Sequence, residues 1–357
     1  MNMIWYPQVS TGKLSYYRQI PKVDLHRHLE GSLRLSTLLE IASQHGIPLP
    51  EGSFHSLVQM QPGDPLTFSN FLSKFQTLRL FFRSPEVIAR LTHEAIADAA
   101  RDGVVYLELR FTPVALGRMQ GFSLARVMDW VVRSAAEASQ QYRLPTRLIA
   151  SVNRHEPVEL AEEVARLAAE RLDQGVVGID LAGNEAQFSA QPFAGVFREA
   201  RESGLRVTVH AGEWGGAENV RQAIDELGAE RIGHGVRALE DPAVVCLARE
   251  CGVALEVCVT SNYQSGVVPA LAAHPLARLI NAGLKVTLNT DDPAISGIVL
   301  SDEYRLAVED LGLNQDALVE CVLGAARASF LPENEACALE QQLRERLPAA
   351  LQAWTRL

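Results

Sequence analysis

One local pattern recurs along the chain and restricts what it can fold into. An amphipathic stretch is followed by a glycine and then by a short run rich in β-branched residues, as in AIADAARDG before VVYLELR and ARLAAERLDQG before VVGIDLAG. Glycine adopts the left-handed conformation that ends many helices at little cost. A short apolar run after it is typical of a buried parallel strand. The pattern therefore predicts helices that alternate with parallel strands of one sheet.

Eight strands of this kind favour a closed (β/α)₈ barrel of the TIM type. An open doubly wound sheet is the alternative, but no G-x-G-x-x-G follows the first strand, which removes the usual reason to prefer it. The predicted strands begin near Val23, Val104, Arg147, Val176, Arg206, Arg231, Ala254 and Lys285.

Two further stretches predict helices outside the repeating unit. The first two strands are about 70 residues apart, which is more than one crossover needs. Residues 34–83 are therefore predicted to form a helical insertion over the mouth of the barrel. The residues after Asp302 are predicted to form helices around its outside. Because no linker or low-complexity segment divides the sequence, residues 1–357 are expected to form a single domain.

Composition excludes several classes of partner. The formal net charge is -10 and no basic stripe is present, so a nucleic-acid partner is not expected. No apolar run approaches the roughly 18 residues that span a membrane, and residues 1–17 lack a signal-peptide pattern. Five scattered cysteines indicate a reducing compartment rather than a disulfide framework. We therefore expect a cytoplasmic protein, whose oligomeric state the composition does not determine.

Several predicted strands end in residues that can bind a metal. His26 and His28 lie two positions apart at the end of the first strand, so their side chains face the same way. The carboxyl ends of barrel strands meet on one face, where the active sites of such barrels lie. The ends of the later strands carry His210, His234, Asp291 and Asp292.

Three imidazoles and one carboxylate from this group suit Zn²⁺, and they also suit Fe²⁺, Co²⁺ or Ni²⁺. A ligand set without thiolates and with one open position is typical of a catalytic site. The alternative is that each residue is a buried polar group satisfied by its neighbours. That is reasonable for one residue and poor for several on one face. The H-x-E and P-C-x-x-C signature of another class of zinc deaminase is absent.

Together the motifs resemble the adenosine and AMP deaminase family, metal-dependent purine deaminases of the amidohydrolase superfamily. The resemblance extends from about Pro21 to Tyr304, and it is closest to bacterial adenosine deaminase-like members. It implies zinc-dependent hydrolysis of an adenine-type purine, with adenosine or deoxyadenosine converted to inosine or deoxyinosine and ammonia. The matching segments, in the family's order, are PKVDLHRHLEGS, VVYLELRFTP, VVGIDLAGNE, VHAGE, ERIGHGVR, LEVCVTSN and VTLNTDDPAISG.

The resemblance also implies a role for each residue of the site. Glu213 matches the acid that protonates ring nitrogen N1 of the purine. His234 matches the residue that orients the attacking water and helps to deprotonate it. The implied ligands of one Zn²⁺ per chain, with Fe²⁺ or Co²⁺ as alternatives, are His26, His28, His210 and Asp291.

The implied contacts to the substrate come from several segments. Asp292 matches the partner of N7, and Gly183 matches a glycine whose N–H meets N3. Phe71 and Phe75 belong to a region that forms an apolar lid in the family, although a core-facing helix stripe predicts the same spacing. The full set of predicted substrate contacts is His28, Glu30, Phe71, Phe75, Gly183 and Asp292.

Glu30 leaves the substrate open. Many adenosine deaminases have Asp at this position, where it binds the ribose 5′-hydroxyl, whereas adenine deaminases and several bacterial relatives have Glu. The segment FLSKF is closer to the nucleoside enzymes. Alternative substrates are adenine, an N6-substituted adenine or a modified nucleoside such as aminodeoxyfutalosine.

Two other functions are less well supported by the sequence. A different amidohydrolase-type metal hydrolase, with two metals, would need a bridging Lys on the fourth strand, where VVGIDL has none. A non-catalytic binding protein would not need an acid and a base, and Glu213 and His234 are both present.

Overall fold

Eight parallel strands form a barrel in the computed structural model, which describes residues 11–50, 52 and 54–351. Each strand pairs in parallel with the next one along the chain, from β1 to β8. The observed strand starts agree with the predicted ones to within one residue. The strands are β1 (Lys22–His28), β2 (Val104–Phe111), β3 (Thr146–Asn153), β4 (Val176–Ala182), β5 (Arg206–Ala211), β6 (Arg231–His234), β7 (Ala254–Val257) and β8 (Lys285–Leu288).

The barrel closes between β8 and β1 through the residues that follow β8. Asp291 forms a parallel bridge with Arg27. The N–H of Asp291 donates to the carbonyl oxygen of His26 at 2.8 Å, and its own carbonyl oxygen accepts from the N–H of His28 at 2.9 Å. These bonds hold Asp291 in the left-handed region, at a φ of 63°, which non-glycine residues rarely adopt. The predicted (β/α)₈ barrel is confirmed.

Seventeen α-helices occur among the described residues, several of them only one or two turns long. They are α1 (Thr11–Gln19), α2 (Leu35–His45), α3 (Phe54–Val58), α4 (Phe68–Leu78), α5 (Pro85–Arg101), α6 (Pro113–Gly117), α7 (Leu124–Tyr142), α8 (Val158–Ala169), α9 (Ala194–Glu202), α10 (Ala217–Asp225), α11 (Pro242–Glu250), α12 (Val259–Gln264), α13 (Leu276–Asn281), α14 (Pro293–Ser296), α15 (Leu300–Arg305), α16 (Gln315–Ala328) and α17 (Glu333–Leu351). Shorter 3₁₀ turns are Arg79–Phe81, Arg118–Gln120, Leu172–Gln174, Gln191–Phe193, Val236–Glu240 and Leu271–Ala273, and Leu306–Asp310 is a π-helical turn.

Local sequence accounts for where the crossover helices begin. Ser84 caps α5 by accepting a hydrogen bond from the N–H of Val87, and Pro85 occupies the first helical position. Asp241 caps α11 in the same way, through the N–H of Ala243 at 2.8 Å.

The additional helices lie where the sequence predicts them. Residues 34–83 contain α2, α3 and α4, and the C-terminal residues contain α16, which packs on β8 and β1, and α17, which packs on α16. The assignment of residues 1–357 to one domain stays a prediction. The N-terminal residues 1–10, part of the segment without a signal-peptide pattern, lie outside the described residues. In the described part of the chain, no helix is both long and apolar enough to cross a bilayer.

The interior of the barrel holds charged side chains below the strand ends. Arg110 on β2 donates to Glu256 on β7 at 2.6 Å. Arg231 on β6 donates to the same Glu256 and also to Glu108 on β2, each at 2.6 Å. Because β2 lies opposite β6 and β7, these side chains cross the barrel axis. All four are buried, so they form a charged layer directly beneath the predicted site.

Candidate metal centre and active site

The four predicted ligands come together at the carboxyl ends of β1, β5 and β8. Oδ1 of Asp291 lies 3.3 Å from Nε2 of His26 and 3.4 Å from Nε2 of His28. Nε2 of His28 lies 3.2 Å from Nε2 of His210. The alternation of side chains in β1 points both of its histidines to one side, and the bridge between Asp291 and Arg27 brings the carboxylate next to them.

The spacing of these atoms fits a divalent metal ion. Ligand atoms placed tetrahedrally at about 2.1 Å from an ion are about 3.4 Å apart, and the three distances just given are 3.2 to 3.4 Å. Nε2 of His26 is buried and has no hydrogen-bond partner in the described part of the chain. A buried nitrogen of this kind is costly unless something binds it. The donor set and its geometry therefore match a metal centre.

His234 belongs to the same cluster. His26, His210, His234 and Asp291 each offer one ligand atom within 4.8 Å of the others. The ring of His234 lies 4.9 Å from that of His26 and 5.3 Å from that of His210, between centroids. The structure therefore brings five residues together where the sequence predicts four ligands and one neighbouring histidine.

Two carboxylates orient the imidazole ligands from behind. Nδ1 of His26 lies 2.9 Å from Oε2 of Glu256, and Nδ1 of His210 lies 2.9 Å from Oδ1 of Asp180. A carboxylate accepts only, so each Nδ1 carries the proton and each Nε2 presents its lone pair to the cluster. Carboxylates behind ligating histidines fix the ring and raise its basicity.

The charged layer inside the barrel keeps these two carboxylates ionised. Burial raises the pKa of Glu256, but the charges of Arg110 and Arg231 outweigh it and hold that pKa well below its usual range. For Asp180, burial is likewise outweighed by His210 and Arg110, so its pKa is lowered. Two ionised carboxylates therefore lie directly behind the candidate metal ligands.

Glu213 lies next to the cluster on the loop after β5. Its Oε2 is 3.5 Å from Nε2 of His234, and the side chain is 2% exposed. Burial and the nearby charges of Asp291, Glu185 and Asp292 raise the pKa of Glu213 well above its usual range. These surroundings favour the protonated form of the carboxyl group, which can donate its proton.

A second carboxylate fixes the backbone around Glu213. Glu185 accepts hydrogen bonds from the N–H groups of Gly212, Glu213 and Trp214 at 2.9, 2.6 and 2.8 Å. It also accepts one from the side chain of Asn219 at 2.9 Å. Three consecutive backbone donors on one buried carboxylate make the loop that carries Glu213 rigid.

A cavity of about 830 Å³ opens from the cluster. An apolar wall of the cavity is formed by Phe71, Leu72 and Phe75 of α4. Phe68 of the same helix packs against Trp214, with 4.0 Å between the ring centroids. The predicted site residues that line the cavity are His28, Glu30, Phe71, Phe75, Gly183, His210, Glu213, His234, Asp291 and Asp292.

Two carboxylates in this cavity have an oxygen without a partner. Oε1 of Glu30 accepts from the N–H of Thr112 at 2.7 Å, whereas its Oε2 is buried and unpaired within the described residues. Oδ1 of Asp292 is also buried without a partner there. A Cβ atom on Gly31 would lie 1.8 Å from that oxygen, so only glycine fits beside Asp292. Oε2 of Glu30 can accept a hydrogen bond from a ligand. Burial and the nearby charges of Asp291 and Glu30 raise the pKa of Asp292 well above its usual range, which favours a protonated carboxyl that can donate one.

Comparison with known proteins identifies the family. The family model described as Adenosine deaminase matches residues 21–346. An adenosine deaminase from Klebsiella pneumoniae (strain 342) is 38% identical over 328 residues, which cover 91% of this chain and 98% of that protein. This chain belongs to the adenosine deaminase family. The resemblance predicted from the motifs is confirmed, and with it a metal-dependent hydrolytic deaminase.

Other members of the adenosine deaminase family and its structural neighbours agree with this result. An adenosine deaminase of Vibrio parahaemolyticus is 34% identical, with 92% of this chain and 99% of that protein covered. The structure of an adenine deaminase from Arthrobacter aurescens has a TM-score of 0.83 at 28% identity, covering 91% of this chain and 98% of the other. A zinc-containing amidohydrolase structure from Burkholderia ambifaria has a TM-score of 0.90 at 23% identity, covering 98% and 97%, and supports the fold.

Several residues of this deaminase site were not predicted from the sequence. Asp180 and Glu256 support the histidines, Arg110 and Arg231 hold those carboxylates, and Glu185 holds the Glu213 loop. One signal in the sequence was available: Glu108 and Arg110 alternate with apolar residues in β2, which places charges on the interior face of a buried strand. Their partners lie on other strands and cannot be assigned without the barrel.

Proposed function

We propose that this enzyme catalyses the zinc-dependent hydrolytic deamination of adenosine and deoxyadenosine, giving inosine or deoxyinosine and ammonia. The observation that carries the proposal is one cavity in which a histidine and aspartate cluster meets a buried carboxyl group with a raised pKa. Membership of the adenosine deaminase family supports the same reaction.

His26, His28, His210 and Asp291 would hold the zinc ion, with Glu256 and Asp180 fixing the two innermost histidines. When bound, zinc lowers the pKa of a water molecule to about 7, so that hydroxide is available at neutral pH. The same nitrogen and oxygen donors accept Fe²⁺ or Co²⁺. One ion per chain fits the two groups of ligand atoms found among the described residues, because the groups overlap at His210.

Glu213 is the acid of the reaction. Addition of an oxygen nucleophile to C6 of the purine places negative charge on N1, and a proton delivered there stabilises the addition. The raised pKa of Glu213 keeps this proton in place before reaction. The three backbone hydrogen bonds that Glu185 accepts hold the loop in place, so the proton is delivered from a fixed position.

The rest of the cavity recognises the purine and its substituent. Asp292, whose raised pKa favours the protonated carboxyl, would donate a hydrogen bond to N7 of the base, and Gly183, at a φ of 93°, would offer a backbone N–H to N3. The free Oε2 of Glu30 would accept a hydrogen bond from a sugar hydroxyl. Phe71 and Phe75 exclude water from the sugar side.

Ammonia release from a panel of purines tests the proposal. We expect adenosine and deoxyadenosine to have the highest kcat/KM among adenosine, deoxyadenosine, adenine, AMP, N6-substituted adenines and aminodeoxyfutalosine. Release from adenine alone would show that Glu30 selects a free base. If no purine released ammonia, the proposed reaction would be wrong.

Two variants distinguish proton donation by Glu213 from the effect of removing a negative charge elsewhere on the protein. Glu213→Gln keeps the shape but not the proton and is expected to lower kcat by about 10²- to 10⁴-fold. Glu218→Gln, an exposed residue on α10, is the matched control and is expected to retain full activity. Equal activity of the two variants would exclude Glu213 as the acid.

The cellular setting follows from composition only. We propose a cytoplasmic enzyme that binds no nucleic acid, because the net charge is -10 and a polyanion would be repelled. Fractionation of the native host, and a gel-shift assay with DNA and RNA, test these two expectations.

A further inference from the structure

His234 is held in an unusual position at the end of β6. Its backbone is in the left-handed region, with a φ of 65°, and the residue is 1% exposed. Nε2 faces the pocket, 3.5 Å from Glu213. The other ring nitrogen, Nδ1, lies 3.1 Å from Nδ2 of Asn262 on α12. The direction of this second hydrogen bond determines which nitrogen of His234 carries the proton.

That direction can be traced from a backbone group that only donates. The N–H of Leu276, the first residue of α13, donates to Nδ1 of His274 at 3.2 Å. Nδ1 of His274 therefore has no proton. Burial lowers the pKa of His274 to about 3, so the ring is neutral. In a neutral imidazole with a free Nδ1, the proton is on Nε2.

The proton position on His274 determines the orientation of the Asn262 amide, and that orientation determines the proton position on His234. Nε2–H of His274 donates to Oδ1 of Asn262 at 3.2 Å. The amide of Asn262 then turns its NH₂ group toward His234, where it donates to Nδ1. Nδ1 of His234 is an acceptor, so the proton of its neutral ring is on Nε2. Asn262 and His274 are both buried, and both lie outside the lining of the cavity.

We propose that Asn262 and His274 are positioning residues that hold His234 in the tautomer with an Nε2–H directed into the active site. In this state His234 donates a hydrogen bond to an oxygen atom, which orients a water molecule and stabilises negative charge on the added oxygen. The orienting role agrees with the one implied by the family resemblance, but the resemblance also implies that His234 helps to deprotonate the water, which an Nε2–H tautomer does not do. The identity of that oxygen atom rests on the proposed function. The tautomer of His234 is inferred from the hydrogen bonds alone.

The opposite tautomer would break the whole chain of hydrogen bonds. A proton on Nδ1 of His234 would face the NH₂ group of Asn262. Rotation of that amide would turn its NH₂ group toward Nε2–H of His274, and moving this proton to Nδ1 would set it against the N–H of Leu276. The backbone donor at the start of α13 cannot reverse. Every alternative therefore leaves two donors facing each other in a buried position.

Nitrogen-15 NMR of the full-length zinc-loaded enzyme tests the tautomer directly. Histidine is labelled with ¹⁵N, and the signals of His234 are assigned by their loss in His234→Gln. We expect a protonated Nε2 and an unprotonated Nδ1 in the wild-type enzyme. In Asn262→Asp the carboxylate can only accept, so we expect the proton of His234 to move to Nδ1. A wild-type spectrum with the proton on Nδ1 of His234 would overturn the proposal, whether or not Asn262→Asp folds.

Kinetics test whether the tautomer matters for the reaction. We expect Asn262→Asp to lower kcat by about 10- to 100-fold with little change in KM. His274→Phe removes the donor to Asn262, and we expect a mixture of both tautomers with a smaller loss. Asn281→Asp, an exposed change at the end of α13, should retain full kcat.

The outcomes distinguish this inference from the proposed function. A reversed tautomer in Asn262→Asp with unchanged kcat would refute the positioning role. If no purine were deaminated, the reaction would be wrong, while the wild-type spectrum would still confirm or refute the tautomer.

Discussion

Replacing Glu256 by Gln should destabilise both the barrel and its metal centre. Glu256 is fully buried and accepts hydrogen bonds from His26 Nδ1 at 2.9 Å and from Arg110 and Arg231 at 2.6 Å each. Glutamine has nearly the same shape but no charge, and it has one acceptor oxygen instead of two. The change therefore leaves two buried guanidinium groups with less negative charge and places an NH₂ group against a donor.

The size of the effect follows from these contacts. Breaking a buried ion pair from one side costs about 3–5 kcal/mol. With about 2.1 cal/mol/K of unfolding entropy per residue and 357 residues, the melting temperature should fall by about 4–7 °C. Loss of the carboxylate behind His26 should also weaken zinc binding by about 10- to 100-fold. When zinc is in excess, the weaker binding lowers the free energy of unfolding by roughly a further 1.4–2.7 kcal/mol.

Calorimetric melts with and without zinc separate the two effects. In chelator-treated samples, the difference in melting temperature between Glu256→Gln and the wild type measures the loss of the ion pairs. In zinc-saturated samples, any additional difference measures the weaker metal binding. Glu335→Gln is the matched control, because Glu335 forms an exposed pair with Arg147 at 3.3 Å and such pairs contribute about 0–1 kcal/mol. If zinc-free Glu256→Gln melted within about 1 °C of this control, the reasoning about the charged layer would be refuted.

Three further predictions follow. Asp180→Asn should weaken zinc binding by about 10- to 100-fold in a chelator competition, because Asp180 fixes His210 at 2.9 Å; unchanged affinity would contradict this. Glu185→Gln should lower kcat by up to about 100-fold and change KM less, since it displaces the Glu213 loop; equal changes in both constants would argue against it. His274 has a pKa of about 3 instead of 6.5, so the unfolded chain binds the extra proton between these values and stability falls as pH decreases through this window. The melting temperature of His274→Gln should therefore depend less on pH between about 4.5 and 6.5 than that of the wild type, and parallel curves would refute the assignment.

The barrel was predictable because its signals are local. Glycine after an amphipathic stretch and the short β-branched run that follows it act within one helix or strand. The predicted starts of all eight strands therefore agree with the structure to within one residue. Proline is frequent at the first position of a helix, yet at Pro192 the structure has a 3₁₀ turn, Gln191–Phe193, before α9 begins. Local sequence signals therefore predict where a helix or strand lies, but not the conformation of its first turn.

The candidate site was predictable only in part. Parallel strands of a barrel end on one face, so polar residues at strand ends were expected to meet there. His28, His210, Asp291 and Glu213 do line one cavity. His234 also falls within the group of ligand atoms, although the resemblance implies a catalytic role for it rather than a place among the ligands. Its ring position depends on the left-handed backbone at the end of β6.

By itself, the sequence determined the order of the strands, the face on which they end and the donor atoms available at that face. Only the tertiary structure decided which groups pair with one another. His26 and Glu256 are 230 residues apart, and the link from Leu276 to His234 joins α13 to β6 through α12. Local rules reach a few residues along the chain, whereas these hydrogen bonds depend on the closure of the barrel and on helix packing across it. The metal ligands could be predicted from their strands, but the direction of the proton on His234 could not.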